Sequence, residues 1–245
     1  VNEMVMAELP EQELMARICR ELIKDDLFRM AWIGMVDEDG VTVRPVAEAG
    51  FVRGYLAQAG IQCDDSPRGR GPTGTAIRSG ATVINDDTET NRQFAPWRER
   101  ARAQGYRSSA ATPVRVHGRV IGSLNVYAPE AHAFGPDKLM LLEKLATDLG
   151  LAIGHRASMA ALRDSEERFR LLLDSSPEAI YGVDTHGNCT FVNPACLEML
   201  GYAQEEMLGV SMHPLIHHTY PDGKPYPKEA CHVRCSTLQG KPTHI

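Results

Sequence analysis

The 245-residue sequence lacks the features that would place it in a membrane, outside the cell or on nucleic acid. No uninterrupted apolar run approaches the roughly eighteen residues of a membrane span, and no secretory signal is present. The net charge of −6 and the pI near 5.9 leave no basic excess for phosphate neutralisation. The six cysteines are few and irregularly spaced, which favours reduced thiols over a disulfide framework. We therefore expect a cytoplasmic protein with neither a membrane nor nucleic acid as partner.

Catalytic signatures are missing as well. The sequence contains no P-loop, no HExxH pair and no Ser/Cys–His–acid spacing. A Gly-Gly-Asp/Glu-Glu-Phe segment, typical of diguanylate cyclases, does not occur. His155 precedes Arg156 and Ala157, whereas a histidine-kinase phosphoacceptor would stand in a His-Glu/Asp context. We expect no catalysis within this chain.

The most informative feature that is present is a proline-free stretch over residues 137–176, bounded by Pro136 and Pro177. Its apolar residues recur at steps of three and four, as in a helical stripe or a coiled-coil seam. A continuous helix of this length would span about 60 Å. We predict a helix that joins two compact units and forms a homodimer, with a register shift near Arg156. The two stripes contain Leu142, Leu145, Leu149 and Ala152, then Met159, Leu162, Phe169 and Leu173.

The segment before this helix predicts an α+β unit with an antiparallel sheet. The glycine-rich residues 69–74 lack the spacing and the lysine of a phosphate-binding loop, so we interpret them as a turn and a helix cap. Gly80 is the predicted C′ residue of the helix over residues 75–79. The remaining predicted helices cover residues 11–28 and 97–105, and the predicted strands cover residues 31–36, 41–46, 81–84, 108–116 and 119–127.

Four short motifs in this unit carry a family resemblance: GRGPTGTA at residues 69–76, VIND at 83–86, GYRSS at 105–109 and VIGSLNVY at 120–127. In this order and spacing they resemble a GAF domain over about residues 11–155, so we assign residues 1–155 to it. The resemblance implies a six-stranded sheet with helices on one face and a ligand cavity on the other. By the same resemblance six residues would face the cavity, unless they only pack and cap: Trp32, Asn85, Asp86, Trp97, Arg107 and Ser108.

The ligand is not identified by these motifs. Bilin-binding members carry a Cys-His pair, but Cys63 is followed by Asp64. The Asn-Lys…Phe…Asp-Glu signature of cyclic-nucleotide-binding members is missing. His117 precedes Gly118 in a predicted hairpin turn, so we interpret it as a solvated turn residue and not as a haem ligand. We expect an unknown small molecule and name no cofactor.

After Pro177 the pattern changes to a hairpin, with strands over residues 179–184 and 189–192 and helices over 195–200, 204–208 and 226–239. The motifs EERFRLL at 166–172, FVNPA at 191–195 and EEMLG at 205–209 resemble a PAS domain over residues 165–245. A PAS sheet has five antiparallel strands, and this chain supplies two, with at most the start of a third at 242–245. We expect this domain to be truncated, and either poorly ordered or completed by another chain.

Histidines and cysteines of this second part could in principle hold a metal. His213 and His217 are four residues apart, but Pro214 interrupts them. Cys231 and Cys235 lie in C-x-x-x-C, which is not the usual knuckle spacing. We assign the histidines to a polar loop and the cysteines to a helix face, and predict no metal site.

Three functions are compatible with this organisation. The first is the sensory input region of a sensor histidine kinase in a two-component system. The alternatives are the input region of a cyclic-di-GMP synthase or phosphodiesterase, and a non-catalytic ligand-binding scaffold. A phosphoacceptor box, a GGDEF segment or a stop codon after Ile245 would separate them.

Overall fold

The computed structural model describes residues 9–50, 54–56 and 59–231, and these divide into two units between Met159 and Ala160. The helix α4 begins in the first unit and ends in the second. The helices and strands up to its end are α1 (Glu11–Leu22), β1 (Met30–Val36), β2 (Val43–Gly50), α2 (Pro72–Ser79), β3 (Val83–Asn85), α3 (Arg98–Gln104), β4 (Ser108–Val116), β5 (Arg119–Ala128) and α4 (Pro136–Ser175).

The first unit is built on an antiparallel sheet with the strand order β2-β1-β5-β4-β3. The described residues of this unit thus form a sheet of five strands, where the GAF resemblance implied six. Because side chains alternate along a strand, neighbouring residues of β1 enter different cores. Ala31 and Ile33 pack with α1 and α4, whereas Met30 and Trp32 pack on the opposite side with Tyr127. We call this opposite side the cavity face.

The long helix was predicted over residues 137–176 and is found as one 40-residue helix from Pro136 to Ser175. Pro136 suits the first turn, where the missing N–H is not needed. Leu142, Ala146 and Leu149 are buried in the core on the helix-covered face of the sheet. The first predicted stripe therefore packs on the protein's own sheet and is not a seam for a partner.

Several element boundaries in the first unit were predicted wrongly, among them the end of the first helix and the start of the return strand. The first helix was predicted to reach residue 28, but it ends at Leu22 and a 3-10 turn follows from Lys24 to Asp26. The return strand was predicted from residue 41 and begins at Val43. The reason is local, since the backbone N–H groups of Val41 and Thr42 both donate to the Asp39 carboxylate at 2.8 Å.

The second unit pairs β6 (Tyr181–Val183) with β7 (Cys189–Val192) as a two-stranded antiparallel sheet. Its core contains Cys189, Cys196, Met207 and Met212. The helices that supply this core are α5 (Pro194–Leu200), α6 (Gln204–Met207) and α7 (Met212–Ile216).

The prediction of a helix over residues 226–239 was wrong at the start of this range. Tyr226 precedes Pro227, and a residue before proline is pushed out of the α region. Only a 3-10 turn from Lys228 to Ala230 follows. The rest of that prediction, and the strand start at 242–245, lie outside the described residues. Among the described helices, none combines the length and the apolar character that a bilayer crossing requires.

Candidate functional site

A small, partly open pocket, called the cavity below, lies on the cavity face of the first unit. Its volume is about 10 Å³, which is room for about one water molecule. The loops before α2, the N-terminus of α2, the 3-10 turn before α3 and strand β5 contribute its walls. The lining residues are Tyr55, Ile61, Arg68, Gly71, Pro72, Thr73, Gly74, Phe94, Trp97 and Tyr127.

Aromatic rings form most of the apolar wall. Tyr55 packs edge-on against Tyr106 and Tyr127, with ring centroids 5.4 and 5.6 Å apart. The rings of Phe94 and Trp97 are 5.7 Å apart. Such contacts add to the burial of apolar area, so this wall is a packed cluster of rings and not an open cleft.

The glycine-rich segment contributes the polar side of the cavity. Gly71 is the N-cap of α2 and Pro72 its first residue, and no acidic side chain lies in the first turn. A β-carbon on Gly71 would lie 2.6 Å from the Trp97 ring, and one on Gly74 would lie 2.2 Å from the carbonyl oxygen of Gly69. Neither glycine has a positive φ, so both are required for close packing. The predicted C′ glycine, Gly80, has a φ of 66° and is confirmed.

Arg78 of α2 holds the loop that precedes this segment. Its guanidinium donates to the carbonyl oxygens of Cys63 at 3.1 Å and Gly69 at 2.6 Å, and also to that of Asp64. Hydrogen bonds from an ionised donor are stronger than neutral ones. This arginine therefore fixes the loop against α2.

Two buried donors, Trp32 and Tyr55, belong to the cluster of side chains on the cavity face, and Tyr55 lines the cavity itself. Among the described residues, none forms a hydrogen bond of normal geometry with the indole N–H of Trp32 or the hydroxyl of Tyr55. The Tyr127 hydroxyl lies within hydrogen-bonding reach of both groups and is their nearest acceptor. Burial, with the neighbouring Tyr127, raises the pKa of Tyr55 well above its usual range. The Tyr55 hydroxyl is thus protonated at neutral pH and can donate a hydrogen bond.

The two tryptophans that were predicted to face the cavity both lie in the cluster of side chains around it. Trp97 lines the cavity, and its indole N–H donates to the carbonyl oxygen of Ala59 at 2.9 Å. Trp32 is fully buried in the same cluster of side chains.

The other four predicted residues are not among those that line the cavity. Asn85 is buried and its side-chain oxygen accepts a hydrogen bond from Asn91 at 2.9 Å. The Asp86 carboxylate is exposed and lies 3.7 Å from the His132 ring.

Arg107 and Ser108 also bond within the fold. Arg107 forms an ion pair with Asp87 at 3.2 Å. The pKa of the Asp87 carboxyl is held below its usual range, first by the hydrogen bond from the Glu89 backbone N–H and then by Arg107. The Ser108 hydroxyl donates to the carbonyl oxygen of Glu130 at 2.6 Å.

Sequence reasoning missed most of the cavity-lining residues. The glycine-rich motif at residues 69–76 was recognised as a family motif, which was the available signal for Gly71 and Gly74. Tyr127 was detectable through strand alternation, since Trp32 pairs with Asn125, two residues away on the same face. Arg68 carries no sequence signal, because it lies in an irregular loop.

The described histidines and cysteines of the second unit have partners within that unit. A ring nitrogen of His213 lies 3.0 Å from the carbonyl oxygen of Tyr226. Cys231 lies 4.0 Å from His217, whose pKa is lowered by burial and then by His213. His232 and Cys235 lie outside the described residues, and within the described ranges no three potential metal ligands come together. In the first unit, His117 and Gly118 form the predicted turn, with φ of 48° and 81°.

Comparison with known families matches both units. The family model of the GAF domain covers residues 8–154, and that of the PAS fold covers residues 167–241.

Individual relatives are more distant. The chain is 29% identical over 149 residues to the methyl sulfide methyltransferase-associated sensor of Methanosarcina acetivorans, a match that covers 60% of this chain and 15% of that protein. It is 40% identical over 65 residues to the probable diguanylate cyclase DgcE of Escherichia coli, covering 26% of this chain and 6% of that protein. The chain thus matches only a small part of each relative.

A solved structure supports the fold of the first unit. The GAF domain region of a putative membrane protein from Geobacter sulfurreducens is 28% identical, with a TM-score of 0.50. The match covers 62% of this chain and 98% of that structure.

Proposed function

The chain belongs to the GAF domain family and continues into a PAS fold, and from this premise we propose that it is the sensory input region of a sensor histidine kinase. In this proposal the protein is a cytoplasmic member of a two-component system. A small molecule binds in the cavity of the first unit, and α4 transmits the change towards the output. GAF and PAS domains are regulatory sensor domains, in agreement with the absence of catalytic signatures from the sequence.

The observation that carries the proposal is the continuity of α4. Its residues Leu142 and Leu149 are buried in the core of the sensor sheet. Beyond Met159 the same helix exposes large apolar side chains, of which Leu162 is 52% and Leu172 71% exposed. Since one uninterrupted helix has both properties, a displacement of the sheet is passed on without a loop in between.

The exposed apolar positions support a homodimer through this helix. Leu151, Leu162, Phe169 and Leu172 are exposed and fall on heptad positions that alternate steps of four and three. In a parallel dimer the ligand selects one of two packings of the paired helices, and the two packings need differ by only a few kcal/mol.

A second candidate output is synthesis of cyclic di-GMP. It is favoured by the 40% identity to a stretch of a probable diguanylate cyclase. The match to a methyltransferase-associated sensor supports the sensory role that both candidates share.

Assays on the full-length protein that contains this chain test both outputs. Incubation with ATP is expected to label the protein with acid-labile, alkali-stable phosphate, which identifies phosphohistidine. Formation of cyclic di-GMP from GTP would instead support the second candidate. If neither product forms, both outputs are wrong.

The role of α4 is tested with a matched pair of variants in that protein. Ala160→Pro breaks the helix at an exposed position outside the proposed seam, because proline removes a hydrogen bond and clashes with the preceding turn, at a cost of about 3 kcal/mol. Ala160→Ser changes the same position and keeps the helix. We expect the proline variant alone to lose regulated output, and equal outputs of the two variants would contradict transmission through α4.

A further inference from the structure

We propose that the cavity of the first unit binds a small organic carboxylate, an anionic group on a flat apolar body. This inference rests on the proposed sensory function and names its ligand class.

The first argument is the N-terminus of α2. Thr73 and Gly74 line the cavity and belong to the first turn of this eight-residue helix. The N–H groups of a first turn have no acceptor within the helix, and the helix dipole makes this end favourable for an anion. Pro72 at the first position has no N–H, and the turn contains no acidic side chain that would occupy the site itself.

The second argument is the charge of the lining residues. Arg68 lines the cavity, and the lining set contains no aspartate or glutamate. Within the described part of the chain, no carboxylate forms an ion pair with Arg68, whereas the neighbouring Arg70 pairs with Asp65 at 3.0 Å. An arginine fork matches the two oxygens of a carboxylate.

The third argument comes from the buried donors described above. The Trp32 N–H can only donate, and the protonated Tyr55 hydroxyl is able to donate. Trp32 is fully buried and Tyr55 is 3% exposed. A buried donor without a full hydrogen bond costs free energy, and because Tyr55 lines the cavity, a ligand oxygen there would supply a full acceptor for its hydroxyl.

The aromatic wall determines the rest of the ligand. The rings of Tyr55, Phe94, Trp97 and Tyr127 offer apolar faces to a flat body. Aromatic faces also attract cations, but the guanidinium of Arg68 and the lack of a lining carboxylate oppose a positive ligand. The sign of the charge therefore selects an anion.

Entry of such a ligand requires a movement of the wall, since the space of about 10 Å³ holds only one water molecule. The Trp97 ring closes the cavity over Gly71, and a β-carbon on Gly71 would lie within 2.6 Å of it. Trp97 is thus the natural reporter of binding. The chain has two tryptophans, so a label on this residue type produces two signals.

The experiment uses the full chain labelled with 5-fluorotryptophan and observed by fluorine NMR, with the two signals assigned by Trp32→Phe. The probes are benzoate, its neutral isostere benzamide and its cationic isostere benzamidinium. We expect benzoate to shift the Trp97 signal and to bind about ten-fold tighter than benzamide, as a charge-assisted bond to arginine implies. Benzamidinium should not shift it.

Variants of Arg68 test whether this arginine causes the preference for benzoate over benzamide. Arg68→Gln should reduce the affinity for benzoate to that for benzamide, and Arg68→Lys should restore part of the difference. Arg119→Gln is the matched control, because Arg119 is an exposed arginine in β5 outside the cavity lining. It should leave the preference for benzoate unchanged.

Several results would overturn the inference. These are equal affinities for benzoate and benzamide, a preference that survives Arg68→Gln, and a Trp97 signal that no probe shifts at high millimolar concentration. Tighter binding of benzamidinium would also overturn it while still showing a responsive sensor cavity. Failure of the proposed output is a separate result, since it would appear as the absence of both phosphohistidine and cyclic di-GMP.

Discussion

The carbonyl oxygen of Arg115 lies so close to Gly150 that a β-carbon on this glycine would be 2.0 Å from it. Arg115 is near the end of β4, where the β4–β5 hairpin turns, and Gly150 lies in α4. One turn further along the helix, a β-carbon on Gly154 would lie 3.2 Å from a methyl group of Val116. The sensor sheet thus contacts α4 directly through the hairpin, at the point where the helix leaves its buried stripe.

Gly150→Ala is expected to destabilise the first unit. Alanine favours a helix over glycine by about 1 kcal/mol, but here its methyl group would clash with backbone that cannot move aside cheaply. We expect a net loss of about 1–3 kcal/mol in the free energy of unfolding. Urea unfolding followed by tryptophan fluorescence measures it, since Trp32 and Trp97 both lie in this unit.

Gly154→Ala is the matched control for that variant. Its methyl group would meet the end of a valine side chain, which can adjust. Its stability should stay within about 1 kcal/mol of the wild type. Equal effects of the two substitutions would contradict the role assigned to the Arg115 carbonyl.

Leu162→Glu is expected to weaken the proposed homodimer. Leu162 is 52% exposed on α4, and a seam position of a coiled coil does not tolerate a charge facing its own copy. We expect the dimer dissociation constant to rise at least about ten-fold, as measured by sedimentation equilibrium. Ala160→Glu places the same charge on the opposite side of the helix and should have little effect. A wild-type chain that is monomeric at all concentrations would refute the dimer itself.

Asn193→Ala is expected to destabilise the second unit. The buried Asn193 side chain accepts from the backbone N–H groups of Ile180 and Cys196 and donates to the carbonyl oxygens of Leu173 and Glu178. Its removal deletes the N-cap of α5 and leaves four backbone groups without their partner. The expected loss is about 2–5 kcal/mol, seen as faster amide hydrogen exchange at Ile180 and Cys196.

A control for Asn193 is available in the first unit. Asn91 also caps a helical turn, where its side chain accepts from the Gln93 N–H at 2.9 Å. Asn91→Ala removes this cap and also the bond to the buried Asn85, at a cost of about 2–3 kcal/mol, but it should leave exchange in the second unit unchanged. If Asn193→Ala also left exchange at Ile180 and Cys196 unchanged, the four bonds of Asn193 would not stabilise the second unit.

Stability is expected to fall at alkaline pH. Burial raises the pKa of Tyr55, Tyr106 and Tyr127 above the usual range, and raises the pKa of the Cys19 thiol to about 12. These groups titrate at lower pH when unfolded than when folded. Their contribution to the free energy of unfolding is therefore fully present below the unfolded pKa values, which are near 8.5 for cysteine and 10 for tyrosine. This contribution is lost as the pH rises towards the pKa values of the folded state.

Removing one of these hydroxyls should reduce the loss of stability at alkaline pH. Between about pH 8 and pH 10.5, the free energy of unfolding of Tyr106→Phe is expected to fall by about 0.8 kcal/mol less than that of the wild type. Urea unfolding by tryptophan fluorescence at the two pH values measures the difference. Tyr220→Phe, at an exposed tyrosine of the second unit, is the control and should follow the wild type. Parallel losses in all three proteins would show that the buried phenols do not cause the decline.

Features governed by neighbouring residues were predictable from the sequence. The helix predicted over residues 137–176 is found from Pro136 to Ser175, because its prolines mark both ends. The strands on either side of His117 and Gly118 were predicted nearly to the residue, because that pair suits a tight turn of positive φ. The start of β2 was predicted wrongly, because the Asp39 carboxylate accepts hydrogen bonds from the backbone N–H groups of Val41 and Thr42.

The site was less predictable, because the face of a sheet that a residue occupies depends on register. A shift of one residue reverses every side chain of a strand, and irregularities occur in β1 at Ile33/Gly34 and in β4 at Val114/Arg115. Ser108 was expected at the cavity, but its hydroxyl bonds to the carbonyl oxygen of Glu130.

By itself the amino-acid sequence determined two sensor-type units and a single helix running from one to the other, because helix ends, turns and hydrophobic periods are set over a few residues. Only the tertiary structure decided what encloses the cavity. Trp97 meets Gly71, and Trp32 and Tyr55 meet Tyr127, across long separations in the chain. The physical reason is that such contacts arise from the packing of whole elements, which no local pattern of residues records.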